Sequence, residues 1–244
     1  MQNPKSIRNV CIAGHLHHGK TLLMDMLVQQ THVKNWNLER NYRWLDTRVD
    51  EQERLISVKD SSISMLMPDS KGKSYILNFV DTPGHPNFSG ELSCALRVCD
   101  GVVLVVDAIE GVMMMTQRII KLALREQLKI VVFVSKMDRL VVELKLPPED
   151  AYLKLKHTLE EINTHIHKTA AELGLNGELY TVSPLLGNVL FGSGEYSFMF
   201  GLDSFARLYS KQFKDVEAHR LKAVFWGDFY FNHESRRFQR RADK

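Results

Sequence analysis

The chain has 244 residues, 44% of them hydrophobic and 25% charged, an ordinary globular composition with enough apolar material for one large core or two smaller ones. A net charge of +3 is too small by itself to argue for nucleic acid. No apolar run has the length of a membrane span or of a signal-peptide core, so a soluble intracellular protein with no membrane partner is expected.

In chain order, residues 9–13 (NVCIA) form a short β-branched run. GHLHHGKT follows at residues 14–21, and TLLMDMLVQQ then has helical spacing. Residues 31–60 are polar, charged and poorly periodic. A connection of that length inside a domain is usually functional or mobile. ISMLMPDSKGKSYILNFVD predicts a hairpin turning at residues 69–73. Residues 101–108 and 129–136 are almost wholly apolar, as strands buried on both faces are. A helix is expected over residues 113–128. Another follows Pro147 and Pro148, with Tyr152, Leu153, Leu155, Leu159 and Ile162 as its apolar positions. Strand and helix in alternation predict a doubly wound α/β sheet, made mixed by the one early hairpin. FWGDFYFNHESRRFQRRADK begins a new aromatic hairpin with nothing left to pack it, like the start of a second unit. Cys11, Cys94 and Cys99 show no framework of spacings and read as reduced thiols of the cytosol or nucleus.

The loop at residues 14–21 raises two chemistries. His15, His17 and His18 suggest a zinc site, but no cysteine or carboxylate pair stands nearby at matching spacing. G-x-x-x-x-G-K-[ST], directly after a strand and before a helix, instead predicts a phosphate-binding loop. Its backbone N–H groups, from His15, Leu16, His17, His18 and Gly19, would turn inward around phosphate oxygens. The helix N-terminus adds partial positive charge. Lys20 would reach the β- and γ-phosphates, and Thr21 would bind Mg²⁺. Next comes DTPGH at residues 81–85. Asp81 at a strand end would hold Mg²⁺ through water, Gly84 would offer an unobstructed N–H to a γ-phosphate, and His85 would point at the attacking water. The alternative is a plain Pro-Gly turn. SKMD at residues 135–138 puts Asp138 where a carboxylate accepts N1–H and N2–H of guanine, a donor pair adenine lacks. The alternative is a helix N-cap.

Together, GHLHHGKT, DEQERLIS, DTPGH and SKMD resemble the GTPase domain of translational GTPases. DTRVDEQER and FGSG (residues 191–194) are similar to elongation factor 2. His17, MPDSKGKSY, ELKLPPEDAY and SPLLGNVLF resemble the spliceosomal branch of that family, in the U-five small nuclear ribonucleoprotein. The resemblance implies a P-loop G domain over residues 1–214, and over 215–244 the start of an incomplete insert like that of elongation factor 2. It implies GTP or GDP with Mg²⁺ as cofactors. It places Ser57 as the Mg²⁺-sensing hydroxyl of switch I (residues 31–60), with switch II at 82 to about 90. The guanine contacts are then Ser135, Lys136, Asp138, Ser193 and Gly194. Implied partners are the large scaffold protein, the helicase and the RNA of the U-five particle, in the nucleus.

Three departures stand out. Ser57 is smaller than the family's threonine. Ser135 replaces an asparagine that ties the guanine pocket to the phosphate loop, and serine is expected to be too short for that brace. Pro86 takes a position more often held by valine, pushes His85 out of the α region and suits the first turn of the next helix. Met113, Met114 and Met115 are expected to be packing residues. Arg236, Arg237, Arg240 and Arg241, with Phe238, read either as a solvated hairpin face or as an RNA contact. Three functions remain in view: a GTP-hydrolysing switch of the spliceosome, a nucleotide-locked scaffold, and a ribosomal translocase acting in the cytoplasm.

Overall fold

The computed structural model describes residues 4–31, 43–69, 72–212, 217–232 and 237–240. The first strand, β1 (Ile7–Gly14), is buried over its last four residues. Its side chains alternate between two cores: Cys11 and Ala13 pack into one, Ile12 into the other. β1 leads into α1 (Lys20–Thr31), whose Leu23, Met24 and Val28 join Ile12 in the smaller core. Of the polar stretch that follows, the described part holds one short helix, α2 (Val49–Arg54).

The early hairpin is β2 (Ser61–Pro68) with β3 (Ser74–Asp81), paired antiparallel. Its turn is closed by Asp69 N donating to Lys73 O at 2.7 Å, and Gly72 takes the left-handed φ of 78° that the reversal needs. Residues 70 and 71 of that turn lie outside the described residues. α3 (Ser89–Val98), β4 (Gly101–Asp107), α4 (Met114–Arg125) and β5 (Lys129–Ser135) follow, then α5 (Met137–Val142) and α6 (Pro148–Glu172). In β4 and β5, Leu104, Val106, Val132 and Val134 face the larger core, and Val105 and Phe133 the smaller. Strands apolar on both faces need helices on both sides.

α6 shows why its face was readable. Leu155, Leu159, Ile162, Ile166 and Ala170 recur every three or four residues and are buried. Each large one stabilises the fold by about 1.5–3 kcal/mol of burial, and Ile162→Ala would cost about 2–5 kcal/mol. Leu153, expected on that face, is instead exposed. It stands two positions from Leu155, about 200° around the helix, so it points away. Of the three consecutive methionines, Met115 is fully buried while Met114 is exposed, so only part of the run is core.

β6 (Val189–Ser193) and β7 (Phe198–Phe200) complete a seven-stranded sheet in the order β2-β3-β1-β4-β5-β6-β7. β3, β1, β4, β5 and β6 are parallel, and β2 and β7 are antiparallel edges. The mostly parallel, doubly wound sheet is the expected fold, with β6 and β7 added to the expected strands. The parallel strands end at one edge, on Gly14, Asp81, Asp107, Ser135 and Ser193. Crevices at that edge are where open α/β sheets bind ligands.

α7 (Leu202–Gln212), α8 (Ala218–Val224) and a hairpin of β8 (Tyr230–Asn232) with β9 (Arg237–Gln239) close the described chain. The hairpin is as expected, but the stretch leading to it does not lack a packing partner. Trp226 rests on Tyr152 and Phe191, with ring centroids 5.1 and 5.8 Å apart, and Gly227 N donates to the Tyr152 hydroxyl at 3.1 Å. Phe238 packs edge-on to Phe231, and the Arg240 guanidinium lies 5.7 Å from the Phe229 ring. Arg236 and Arg241 lie outside the described residues. Among the described residues no helix is long and apolar enough to cross a membrane.

Candidate functional site

The loop between β1 and α1 is set by its backbone. His17 and Gly19 take positive φ, 61° and 91°, which curls the chain so that α1 begins at Lys20. The three histidine rings go different ways. His17 is exposed. His18 is wholly buried, with Nε2 3.0 Å from Glu110 Oε2 and Nδ1 3.3 Å from both the Val105 carbonyl and Asp107 N. Burial holds its pKa below the usual imidazole value, against the Val105 carbonyl and Glu110. His15 packs edge-on against His18 at 5.3 Å. The phosphate role expected of His15 and His18 is thus left to their backbone groups.

Lys20 and Thr21 line a cavity of about 170 Å³ with Leu16, His17, Gly19, Ser57, Lys136 and Arg43. The Lys20 ammonium is buried and donates to the His15 carbonyl at 2.8 Å. Burial pushes its pKa down to about 8, against the pull of Asp81. Asp81 is also buried. Its carboxyl is pushed up to about 7 by burial, with Lys20 and the Thr21 hydroxyl opposing. Gly84 sits where a β-carbon would strike the Lys20 ammonium and the His15 backbone, so glycine is required there.

Thr21, Ser57 and Asp81 converge. The Thr21 hydroxyl donates to Asp81 Oδ2 at 2.9 Å, and Ser57 Oγ donates to Asp46 Oδ1 at 2.8 Å. The two hydroxyl oxygens lie 3.3 Å apart, with both protons already committed. Asp81 Oδ1 is buried without a hydrogen-bond partner. Two hydroxyl oxygens presenting lone pairs beside an unsatisfied carboxylate oxygen suit a hard, oxygen-ligated cation such as Mg²⁺. Glu51, one of the DEQER acids, ties this segment together: it is buried and accepts from Val58 N, Lys59 N and Arg48 N. It lies three residues after the helix N-cap Arg48, but arginine has no acceptor to complete a capping box, so the sequence carries no such signal here. Arg43 comes from the polar stretch with no periodicity or motif to mark it, and Asp46 opens the DTRVDEQER run with nothing in the sequence to assign it a role.

On the other side of the loop, Ser135 is buried and its hydroxyl donates to the His18 carbonyl at 2.6 Å, with the Val106 carbonyl at 3.2 Å. The expectation that serine is too short to brace the phosphate loop is therefore wrong. The loop backbone comes close enough to the end of β5 for a two-atom side chain to reach it. Lys136 takes φ 56° and its ammonium lies 2.8 Å from buried Asp107. Asp138 has a buried oxygen, Oδ1, with no partner. An unmet carboxylate acceptor of this kind costs about 1–3 kcal/mol or more, and a base presenting N1–H and N2–H would remove that cost. Asp138 lines a second cleft, about 410 Å³, with Met137, Val141, Val142, Tyr196, Phe198 and Phe200. Lys136 instead lines the phosphate cavity, so the expected guanine set is divided between the two. The Ser193 hydroxyl is buried and accepts from Tyr196 N at 3.2 Å, and Gly194 lies against the Leu22 side chain too closely for any β-carbon.

His85 has φ −78° and ψ 136°, and Pro86 opens the next 3₁₀ turn, both as expected of a His-Pro step. Its Nδ1 accepts from Asn87 N at 3.2 Å, and its ring lies 5.6 Å from that of Phe88. In the neutral imidazole, an accepting Nδ1 puts the proton on Nε2.

Comparison with known proteins agrees with this geometry. The family model described as the elongation factor Tu GTP binding domain matches residues 5–215, which implies guanine-nucleotide binding. The chain is 48% identical to the 110 kDa U5 small nuclear ribonucleoprotein component CLO of Arabidopsis thaliana, over 98% of this chain and 24% of that protein. It is 42% identical to the pre-mRNA-splicing factor cwf10 of Schizosaccharomyces pombe, over 97% and 24%. It is 35% identical to elongation factor-like GTPase 1 of Homo sapiens, over 98% and 24%. The chain thus spans about a quarter of the length of these relatives.

Proposed function

Since the chain belongs to the elongation factor Tu GTP binding domain family, we propose that it binds GTP and GDP with Mg²⁺ and hydrolyses GTP slowly, as a switch of the U5 small nuclear ribonucleoprotein in pre-mRNA splicing. The observation that carries this is the convergence of Lys20, Thr21, Ser57 and Asp81 on the phosphate loop, with Ser135 holding that loop from the strand before Asp138. The spliceosomal context is supported by relatives named for that particle and for splicing, which exceed the elongation factor-like relative in identity. Nuclear location, and contacts with the scaffold protein, helicase and RNA of the particle, go with that context. Residues 215–244 are proposed as the start of an insert subdomain.

The roles follow from the side chains. The loop N–H groups and Lys20 neutralise the phosphates, with Lys20 exchanging the His15 carbonyl for phosphate oxygen. Thr21, Ser57 and Asp81 hold Mg²⁺, which when bound neutralises charge on the phosphoryl oxygens. Gly84 offers its N–H. Asp138 selects guanine, with Lys136, Ser193 and Gly194 completing the base pocket. His85 orients the attacking water. In the tautomer above, Nε2 can donate to a water or phosphoryl oxygen but cannot accept its proton, so the ring positions water and does not serve as a base. Turnover is therefore expected in the range of unassisted GTPases, about 10⁻⁴ to 10⁻² per second. That tautomer also favours a second function, the nucleotide-locked scaffold, whose turnover is negligible.

Titration of the chain with GTP, GDP and ATP tests the nucleotide assignment, and equal affinity for ATP and GTP would sink it. Single-turnover hydrolysis by the unmodified protein and by His85→Ala and Pro86→Val separates switch from scaffold. A rate that falls in His85→Ala with affinity unchanged supports the switch. No hydrolysis by any variant, even with particle partners added, leaves the scaffold.

A further inference from the structure

Arg43 is a cation in the phosphate cavity that no motif marks. It lines that cavity with Lys20, Thr21 and Ser57. Its Nη1 donates to Asp46 Oδ2 at 3.1 Å and to the Leu55 carbonyl at 2.9 Å. Asp46 is buried, and its other oxygen takes the Ser57 hydroxyl. One buried carboxylate thus fixes both the guanidinium and the hydroxyl that stands beside Thr21.

A guanidinium has five donors in one plane, and the two bonds just named use Nη1 alone. Lys20 lines the same cavity, its ammonium bonded to the His15 carbonyl. Arg43 and Lys20 thus set two positive groups around one cavity, with Asp46 paired to the guanidinium, so an anion entering it meets both. Guanidinium matches phosphate oxygens in geometry.

Resting on the nucleotide function proposed above, we propose that Arg43 is a phosphate contact supplied by the chain itself. Its guanidinium binds the terminal phosphate of a nucleoside triphosphate, and Asp46 is the residue that positions it. Arg43 then distinguishes triphosphate from diphosphate. In hydrolysis it stabilises charge on the transferring phosphoryl group, the part an arginine finger plays when a partner supplies it.

The test is equilibrium titration of fluorescent GDP and of a non-hydrolysable GTP analogue against the unmodified chain, Arg43→Ala, Arg43→Gln, Arg43→Lys and Asp46→Asn. Folding of each is checked by thermal melting. Arg43→Ala and Arg43→Gln are expected to lose about 10- to 100-fold in affinity for the triphosphate analogue, with GDP affinity within about twofold. Arg43→Lys should recover part of the loss, and Asp46→Asn should show the same selective loss, smaller in size. Glutamine can still donate to Asp46 and to the Leu55 carbonyl, so Arg43→Gln isolates the charge if Arg43→Ala does not fold. Equal loss for both nucleotides, no loss for either, or failure of both variants to fold would make Arg43 a structural staple and overturn the proposal. If the unmodified chain binds neither nucleotide, the nucleotide function itself fails and Arg43's role goes with it.

Discussion

The two halves of the site differ in how they satisfy their own polar groups. On the phosphate side, Lys20 is bonded to the His15 carbonyl, Thr21 to Asp81, and Ser57 and Arg43 to Asp46. On the base side, Asp138 keeps a buried oxygen with no donor. A phosphate must therefore displace internal bonds, and part of its interaction is offset by their loss. A guanine edge bound at Asp138, as proposed, would meet an acceptor with no internal bond to give up, so most of that interaction would appear as selectivity. The phosphate side should set how tightly nucleotides bind, and the base side which nucleotide is chosen.

The largest effect should come from breaking the base side. Asp138→Asn replaces an acceptor with a donor, and the preference for GTP over ATP is expected to contract by roughly 10⁴-fold, with xanthine nucleotides gaining. Competition titrations with all three bases measure this, and an unchanged preference would mean Asp138 only caps α5. On the phosphate side, Lys20→Ala removes a charge-assisted contact and should cost about 100-fold in affinity for GTP and ATP alike, as calorimetry would register. A purine-dependent loss would blur the division between the halves.

A smaller effect tests the link between them. Ser135→Ala deletes the bond to the His18 carbonyl and should weaken guanine nucleotides by about fivefold, near 1 kcal/mol. Ser135→Asn restores a familiar asparagine, yet it adds bulk to a buried, already bonded position, so no gain in affinity is expected. Tighter binding by that variant would show that the serine brace is incomplete.

The smallest effect is a control. Asp60 has a buried, unpartnered oxygen like Asp81 and Asp138, but it lines neither cavity. Burial pushes its carboxyl up to about 6, with Glu91 adding and Lys59 opposing. A raised acid is favoured neutral in the fold, so stability falls as pH rises from about 4, the unfolded value, through about 6. Asp60→Asn should remove that slope and raise stability above pH 6 by about 1 kcal/mol at most, since the group is partly solvated. Nucleotide affinity should not move. Thermal melts across the pH range read the first, and titration the second.

The phosphate side was legible in the sequence because a glycine-rich turn between strand and helix dictates backbone as well as side chain, so eight residues specify a place. α6 was legible because burial imposes a period. What could not be read depends on distances that no spacing encodes. Ser135 was misjudged because the approach of the loop to β5 comes from the whole sheet. Arg43 and Asp46 sit in a stretch whose length and resemblance mark it as functional, but its polar composition does not show which of its residues folding brings to the cavity. Trp226 was missed because its partners, Tyr152 and Phe191, are distant in sequence. β7 was missed because three residues are too few to show alternation.

The position of β1 has a consequence for how the chain is made. It is translated before the other strands of its sheet, yet it lies in the middle of that sheet, hydrogen-bonded to β3 at residues 76–81 and to β4 at residues 101–105. Until those segments emerge, β1 lacks both neighbouring strands, although α1 can already cover Ile12. It waits for its second neighbour through the synthesis of roughly ninety residues, several seconds at ordinary elongation rates. The phosphate loop, tethered to that strand, is translated well before its brace, because Ser135 follows β4 in the chain. Chaperone capture of stalled chains should accordingly drop once β4 is out, and ribosome-bound chains of stepped length would show where.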